Sequence, residues 1–591
     1  MLTLLILLLL FTAMPLTPSP PPYHFLKSSS LLTPTTLLSR KPREYIEVAR
    51  SLPSDRLTPS CTVHVIRHSF ANTINQPPFS ARYSPPSDCP FPWFHVTLEF
   101  RAKSKGDQYD RISALWLGGA EILRTSTAEP TENGIFWKVR KDITRYSSLL
   151  LQENLNFTIM LENVVNSVYT GVYHVDVTIF FYKHNSVRVP FVANNPIRIP
   201  SIWEQEAMAV VKNAYESPAD LIIPISSDKG YEKGYWFKIG KETDIHFKKV
   251  TFPGNTHKAV LELYVSFHGN DEFWYSNPSN NYIRANNLTS LRGNGAYREV
   301  FVTIDGKYVG SEVPFPVVFT GGINPLFWEP VVAIGAFDLP RYDFDLTPFL
   351  GMVLDGKDHE IGVGVTDGIS YWLLDANLHL WMDYRNSTVA KSFAYYNPSS
   401  FLTRSEKFKL LDGSFSIRAR RRTKFEGWVL SSAGNLTTRV LQQYSFRNNI
   451  RFERNGTFKS VNQKIKSQRE VKVFNDVGRV LSHVIVHRRH PLKVITTNLP
   501  GAKKDTYVLL TNISHALIER YENGATSSSV HNKQDSNGWM EVKDHSVLSG
   551  EAHTIQTLSC RDDSGCYIRT VAANNGSLIK DESTYVCPSV M

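Results

Sequence analysis

The sequence predicts an all-β fold of tandem β-sandwich-like domains, and three observations on its 591 residues lead there. Apolar and polar residues alternate at period two in runs such as Phe94-His-Val-Thr-Leu-Glu-Phe100 and Tyr173-His-Val-Asp-Val-Thr-Ile179, the pattern of half-buried strands. Between such runs fall 33 glycines and 33 prolines, the punctuation of many short strands joined by turns. Helical periodicity is sparse, Trp203 to Ala214 being its best stretch. At roughly four times the ~150 residues of a typical domain, the chain has room for two to four domains, and 42% hydrophobic residues supply their cores. A coiled coil and wholesale disorder are excluded.

Taken in order, residues 1–20 open with an apolar run, Met1 to Phe11, ending in small residues, and are expected to be a signal peptide. Residues 21–55, rich in Pro, Ser, Leu and Thr, are expected to form a leader without packed structure. Period-two strands then fill a first domain over 56–192. Asn194-Asn-Pro-Ile-Arg-Ile-Pro200 marks the boundary to a second over 193–388, with strand patterns from Lys249 to His268, Val300 to Ile304 and Leu373 to Asp383. A third β unit, also sandwich-like, covers 400–591 and includes Val480 to Val486 and Tyr507 to Leu510.

Of the net charge of +10, the third unit holds more than all, with 29 Lys and Arg against 17 Asp and Glu from Phe401 onward. Those charges are scattered through strand-like sequence with no Lys/Arg tail, which reads as a solvated basic face, and no nucleic-acid partner is expected. Arg418-Ala-Arg-Arg-Arg422 is either a proteolytic processing site or a basic strand edge. No stretch after the first residues reaches the 18 or more apolar residues of a spanning helix, so no transmembrane anchor is expected. Sequons at Asn156, Asn287, Asn386, Asn435, Asn455, Asn512 and Asn575 point to the secretory pathway, with the extracellular space, cell wall or vacuole as destination. In that oxidising setting Cys61 is expected to pair with Cys89, and two of Cys560, Cys566 and Cys587 with each other.

GxSxG, HExxH and Walker A patterns do not occur, which removes nucleotide and zincin chemistry. His483, His487 and His490 lack a local Asp, Glu or Cys and read as strand histidines, so neither metal nor cofactor is expected. Gln108-Tyr-Asp-Arg-Ile-Ser-Ala-Leu-Trp-Leu117 places an acid and a base at the mouth of an apolar strand: a cleft carboxylate with its charge partner, or an ordinary salt-bridged turn. Glu162 interrupts an apolar strand and needs a partner or a pocket. Val265 to Asn277 ends a strand in a loop holding His268, Asp271, Glu272, Trp274 and Tyr275, aromatic and acidic as a sugar site is, or else a core plug; Trp328 has similar company.

Asp88-Cys-Pro-Phe-Pro-Trp93, Tyr109-Asp-Arg-Ile-Ser-Ala-Leu-Trp-Leu-Gly-Gly-Ala-Glu-Ile122 and Thr170-Gly-Val-Tyr173 resemble the peptide-N4-(N-acetyl-β-glucosaminyl)asparagine amidases, most closely their plant A-type, across nearly the whole mature chain. The bacterial F-type is a more distant likeness, confined to the first two domains through the aromatic-Asp-Arg motif and the following Glu121-Ile-Leu-Arg124. The resemblance implies two eight-stranded jelly rolls with the site between them. It places the main catalytic role on Asp110, with Glu162 and Glu272 as further acids; the family cysteines flanking the last of these are absent here. Tyr109, Arg111, His268, Asp271, Trp274 and Trp328 are the expected substrate-binding residues.

The implied reaction is hydrolysis of the amide between asparagine and the first N-acetylglucosamine of an N-glycan on glycopeptides and glycoproteins, leaving aspartate and a glycosylamine. The alternative is a non-catalytic glycan-binding protein on the same sandwiches.

Overall fold

A computed structural model describes residues 27–28, 41–183, 218–385 and 399–586, apart from 433, 525, 545 and 564. The signal-peptide segment, the predicted helix at 203–214 and the sequon at Asn386 lie outside them.

Eight strands build the first unit: β1 (Cys61–Phe70), β2 (Phe79–Tyr83), β3 (His95–Ser104), β4 (Ile112–Leu117), β5 (Ala120–Ser126), β6 (Ile135–Asp142), β7 (Leu155–Leu161) and β8 (Tyr173–Tyr182). They form two sheets, β6-β3-β8-β1 and β2-β7-β4-β5, which is the strand order of a jelly roll. The alternation seen in the sequence is the pleat: Tyr173, Val175, Val177 and Ile179 of β8 face the core while His174, Asp176 and Thr178 face outward.

The second unit repeats the plan with β9 (Leu221–Ile225), β10 (Phe237–Ile239), β11 (His246–Thr251), β12 (Thr256–Phe267), β13 (Glu299–Ile304), β14 (Lys307–Glu312), β15 (Arg341–Asp345), β16 (Asp358–Thr366) and β17 (Trp372–Met382). Its sheets are β9-β17-β12-β15, with β10 also on β17, and β11-β16-β13-β14.

The two jelly rolls meet through buried charge as well as apolar surface. Arg124 forms a two-pronged pair with Glu121 at 2.6 Å on each arm and crosses the interface to Ser266 Oγ at 2.7 Å and the Leu373 carbonyl at 3.0 Å. Asn377 Nδ2 donates to the Glu121 carbonyl at 2.6 Å, and Trp116 Nε1 donates to Asp375 at 2.7 Å. Glu121 and Arg124 are both fully buried, so neither tolerates loss of the other. The Glu-Ile-Leu-Arg motif is therefore the pin that fixes the domains against each other.

The third unit departs from the expected sandwich. Ten strands, β18 (Ser399–Lys409), β19 (Asp412–Ser431), β20 (Gly434–Glu453), β21 (Phe458–Phe474), β22 (Val480–Pro500), β23 (Thr506–Asn523), β24 (Thr526–Lys543), β25 (Ser546–Asp562), β26 (Gly565–Asn574) and β27 (Ser577–Thr584), pair each with the next in one antiparallel meander. A second sheet is not needed because the second jelly roll covers the apolar face: Phe349 packs on Phe425, Tyr282 on Phe415 and Phe452, and Phe315 on His490, within one shared core.

Arg418–Arg422 sits inside β19 and is hydrogen-bonded to β18 on one side and β20 on the other. Arg418, Arg420 and Arg422 are exposed, while Arg421 points inward to a two-pronged pair with Glu299 at 2.6 and 3.0 Å. It is thus not a strand edge, which corrects that reading, and a protease acting there would first have to unpair the strand.

The leader reading fails from residue 43 onward. Tyr45 and Val48 are buried. The Tyr45 amide donates to the Phe136 carbonyl at 2.8 Å, Glu47 accepts the amides of Gly335, Phe337 and Asp338, and Asn532 donates to the Val48 carbonyl at 3.2 Å. This segment ties all three units together, because its backbone groups find partners in each.

Cys61 and Cys89 form a disulfide, Cys566 is disulfide-bonded, and Cys560 is a buried free thiol. Among the described residues no helix is long and apolar enough to cross a membrane. Of the described sequon asparagines, Asn156, Asn287, Asn455, Asn512 and Asn575 are exposed and Asn435 is half-buried.

Candidate active site at the jelly-roll interface

Asp110 precedes β4, whose sequence Ile-Ser-Ala-Leu-Trp-Leu is apolar but for Ser113 because both faces are covered: Leu115 and Leu117 face the first core, while Ala114 and Trp116 meet Tyr235 and Trp236 of the second unit. The acid stands where that burial opens. The Arg111 amide donates to Thr127 Oγ1 at 2.8 Å, and the Thr127 amide to the Arg111 carbonyl at 2.8 Å, so the segment after β5 stays beside the segment before β4. That contact carries a second acid, Glu129, to the same place. Arg111 is aimed by Gln108, whose Oε1 accepts its Nη2 at 2.6 Å.

From the second unit come Gly321 and Glu272. The carboxylates of Asp110 and Glu129 both close on the Cα of Gly321: a methyl group placed there would meet Glu129 Oε1 at 2.5 Å and Asp110 Oδ1 at 2.6 Å. Glu272 is 3% exposed and feels the charge of Asp110 directly. Asp110 Oδ1 and Glu272 Oε1 are buried without a hydrogen-bond partner among the described residues. Burial raises the Asp110 carboxyl to about 6, with Arg111 and the amides of Asp110 and Gly321 opposing. Burial and the neighbouring Asp110 hold the Glu272 carboxyl well above the usual range, Arg292 opposing. Burial thus raises both carboxyls, and they meet from different jelly rolls.

The loop that bears Glu272 is braced from three sides. Asp271, one residue earlier, is fully buried and pairs with Arg298 at 2.8 and 2.6 Å, while accepting from Trp372 Nε1 at 2.7 Å and the Ile369 amide at 2.9 Å. From the third unit, Asn448 donates to the Tyr275 carbonyl at 2.9 Å, and Lys459 donates to Ser276 Oγ at 3.0 Å. Burial and the nearby Arg292 bring the Lys459 amine down to about 7.

The expected site residues thus separate. Asp110, Arg111 and Glu272 gather at the interface, and Tyr109 lines it, its ring 5.4 Å from that of Tyr169. Asp271 is corrected from substrate ligand to structural lock, since its oxygens are occupied. Trp274 (0% exposed) and Trp328 (1%) are corrected from stacking platforms to core residues. The Trp328 indole donates to the Gly322 carbonyl at 2.8 Å and so shapes the loop behind the site.

His268 is likewise packing. It stacks on Phe319 and Tyr371, sits 2.9 Å from Ser266 Oγ, and burial lowers it to about 3, so it stays neutral.

Glu162 follows β7 and does not interrupt it; it is half-buried, its Oε1 accepting the Asn75 amide at 3.2 Å, and it is not among the charges acting on Glu272. Glu129 escaped the sequence reading because it lies in a loop, Ala128-Glu-Pro130, with no strand pattern to mark it.

For metal, the described residues bring three potential ligands together only at Cys61, Asp88 and Cys89, where both thiols are spent in the disulfide. His483 is engaged by Glu470 at 2.9 Å, and His490 is buried against Phe315.

Fold and site together define a protein of two jelly rolls with a cluster of carboxyls gathered at their junction. The family described as peptide N-acetyl-beta-D-glucosaminyl asparaginase amidase A matches residues 49–398, and the chain belongs to it. A Prunus dulcis protein named peptide-N4-(N-acetyl-beta-glucosaminyl)asparagine amidase A is 40% identical over 557 residues, covering 94% of this chain and 95% of that one. Two solved structures of PNGF-II, in P21 and C2 space groups, align with TM-score 0.35 at 12% identity over 56% of this chain and 66% of theirs.

Proposed function

We propose that this chain hydrolyses the amide between an asparagine side chain and the first N-acetylglucosamine of N-glycans, on glycopeptides and glycoproteins. Family membership supports the activity, and the meeting of Asp110 and Glu272 from different jelly rolls supports the site.

Amide hydrolysis needs an activated water, a positioned carbonyl and a proton for the leaving nitrogen. With its carboxyl at about 6, Asp110 is ionised at neutral pH and serves as the base that takes a proton from water. Glu272, held protonated by burial and by Asp110, donates to the leaving nitrogen. Glu129 orients the water beside Asp110, and Arg111 steadies the Asp110 charge. Glu162 is the competing candidate for the third carboxylate, and activity of Glu129→Gln beside Glu162→Gln separates the two.

The apolar start of the chain, the exposed sequon asparagines and the disulfide-bonded cysteines support a secretory-pathway location, ending outside the cell, in the wall or in the vacuole.

Incubation with a defined N-glycopeptide tests the activity. Release of glycan, with the peptide mass shifting as Asn becomes Asp, is the expected result. Glycan binding with no mass shift would replace the enzyme by a glycan-binding protein.

A further inference from the structure

Gly321 belongs to the segment Thr320–Asn324, which the second jelly roll presses against the first. Thr320 Oγ1 donates to the Thr127 carbonyl at 2.7 Å, and Thr127 is the residue that keeps the Asp110 and Glu129 segments side by side. Downstream, the Gly322 carbonyl accepts the Asn324 amide at 2.7 Å and the Trp328 indole at 2.8 Å. That closes a γ-turn on Ile323 at φ +65°, a conformation a β-branched residue holds only when its surroundings impose it. The segment is therefore pinned on both sides of Gly321.

Gly321 itself has no left-handed backbone angle, so conformation does not require glycine there. Space does. A Cβ would stand 2.5 Å from Glu129 Oε1 and 2.6 Å from Asp110 Oδ1, well inside van der Waals contact. Both obstacles are the far ends of side chains. The backbone is tied, so an added methyl moves the carboxylates and leaves the fold standing.

We propose that Gly321 is the positioning residue of the site: its bare Cα is the stop against which Asp110 and Glu129 close, and it sets where the scissile amide and its water meet them. This rests on the amidase reading above. Placement errors near 1 Å cost about 10²-fold in rate.

The test compares Gly321→Ala, Glu129→Asp, the double variant and, as a control, Gly254→Ala, whose added methyl meets nothing within 4 Å. Readouts are kcat, KM and the melting transition on one glycopeptide. Gly321→Ala is expected to melt cooperatively and lose about 10²-fold in kcat with KM nearly kept. Glu129→Asp withdraws its carboxylate by one methylene, so the double variant is expected to exceed Gly321→Ala in kcat although each single change lowers it. Gly254→Ala keeps the wild-type rate.

Gly321→Ala at the wild-type kcat, or with its loss carried by KM or by a lost melting transition instead of kcat, overturns the assignment. Absence of glycan release by the wild type would instead overturn the amidase reading, so the two failures are distinguishable.

Discussion

The hydroxyl of Tyr173 reaches the Tyr109 carbonyl oxygen at 2.9 Å, one residue ahead of Asp110. It also lies 3.1 Å from the Ala128 carbonyl, one residue ahead of Glu129. A single fully buried side chain of β8 thus steadies the backbone under both acids. Tyr173→Phe removes the one hydroxyl proton that these two carbonyls share. It is expected to lower stability by about 1–3 kcal/mol in denaturant melts and to reduce kcat more than KM.

Glu129 and Glu162 are separated by activity. Glu129→Gln is expected to cut kcat roughly 10²-fold, the scale of one positioned acid–base group. Glu162→Gln, whose carboxylate is engaged by the Asn75 amide, is expected to stay within about threefold, well under that scale. The reverse order would return the third carboxylate to Glu162.

Much of this was legible in the sequence, for physical reasons. Period-two alternation is a direct imprint of a sheet with one covered face, so the β-sandwich character of the first two units was readable from runs such as Tyr173–Ile179, while the jelly-roll connection came from the family resemblance. The acid and base ahead of an apolar strand drew attention to Asp110 but left an ordinary salt-bridged turn open as well, and only the resemblance to the amidases placed a catalytic role there. Glu129 was not legible, since a loop acid brought in by the Thr127 backbone contacts leaves no periodic trace. Trp274 and Trp328 were misread because an aromatic loop looks the same whether its rings face a sugar or a neighbouring sheet. The single-sheet meander was hidden for a related reason, as strand patterns do not say which domain supplies the covering layer.

The third unit is expected to be inseparable from the rest, although the family match ends at residue 398. A chain ending there exposes the faces of Phe349, Tyr282 and Phe315 that β19, β20 and β22 now cover. Such a truncation is expected to be insoluble or inactive, checked by size-exclusion chromatography and turnover. A soluble, fully active truncation would make the unit an appendage.

Within the full chain, Asn448→Ala removes the donor to the Tyr275 carbonyl beneath Glu272. The variant is expected to lose about 1 kcal/mol of stability and to turn over several-fold more slowly with KM kept. Unchanged turnover would mean the Glu272 loop holds its shape without the third unit.

The pH dependence of kcat/KM on one defined glycopeptide, wild type beside Asp110→Asn, tests the central claim most directly. Asp110 acts as base only when ionised, so wild-type activity is expected to rise as pH increases through about 6 and to fall at higher pH, where Glu272 gives up its proton. Asp110→Asn is expected to bind the glycopeptide and release nothing at any pH. An Asp110→Asn enzyme turning over near the wild-type rate, with the same rise through about 6, would contradict the account.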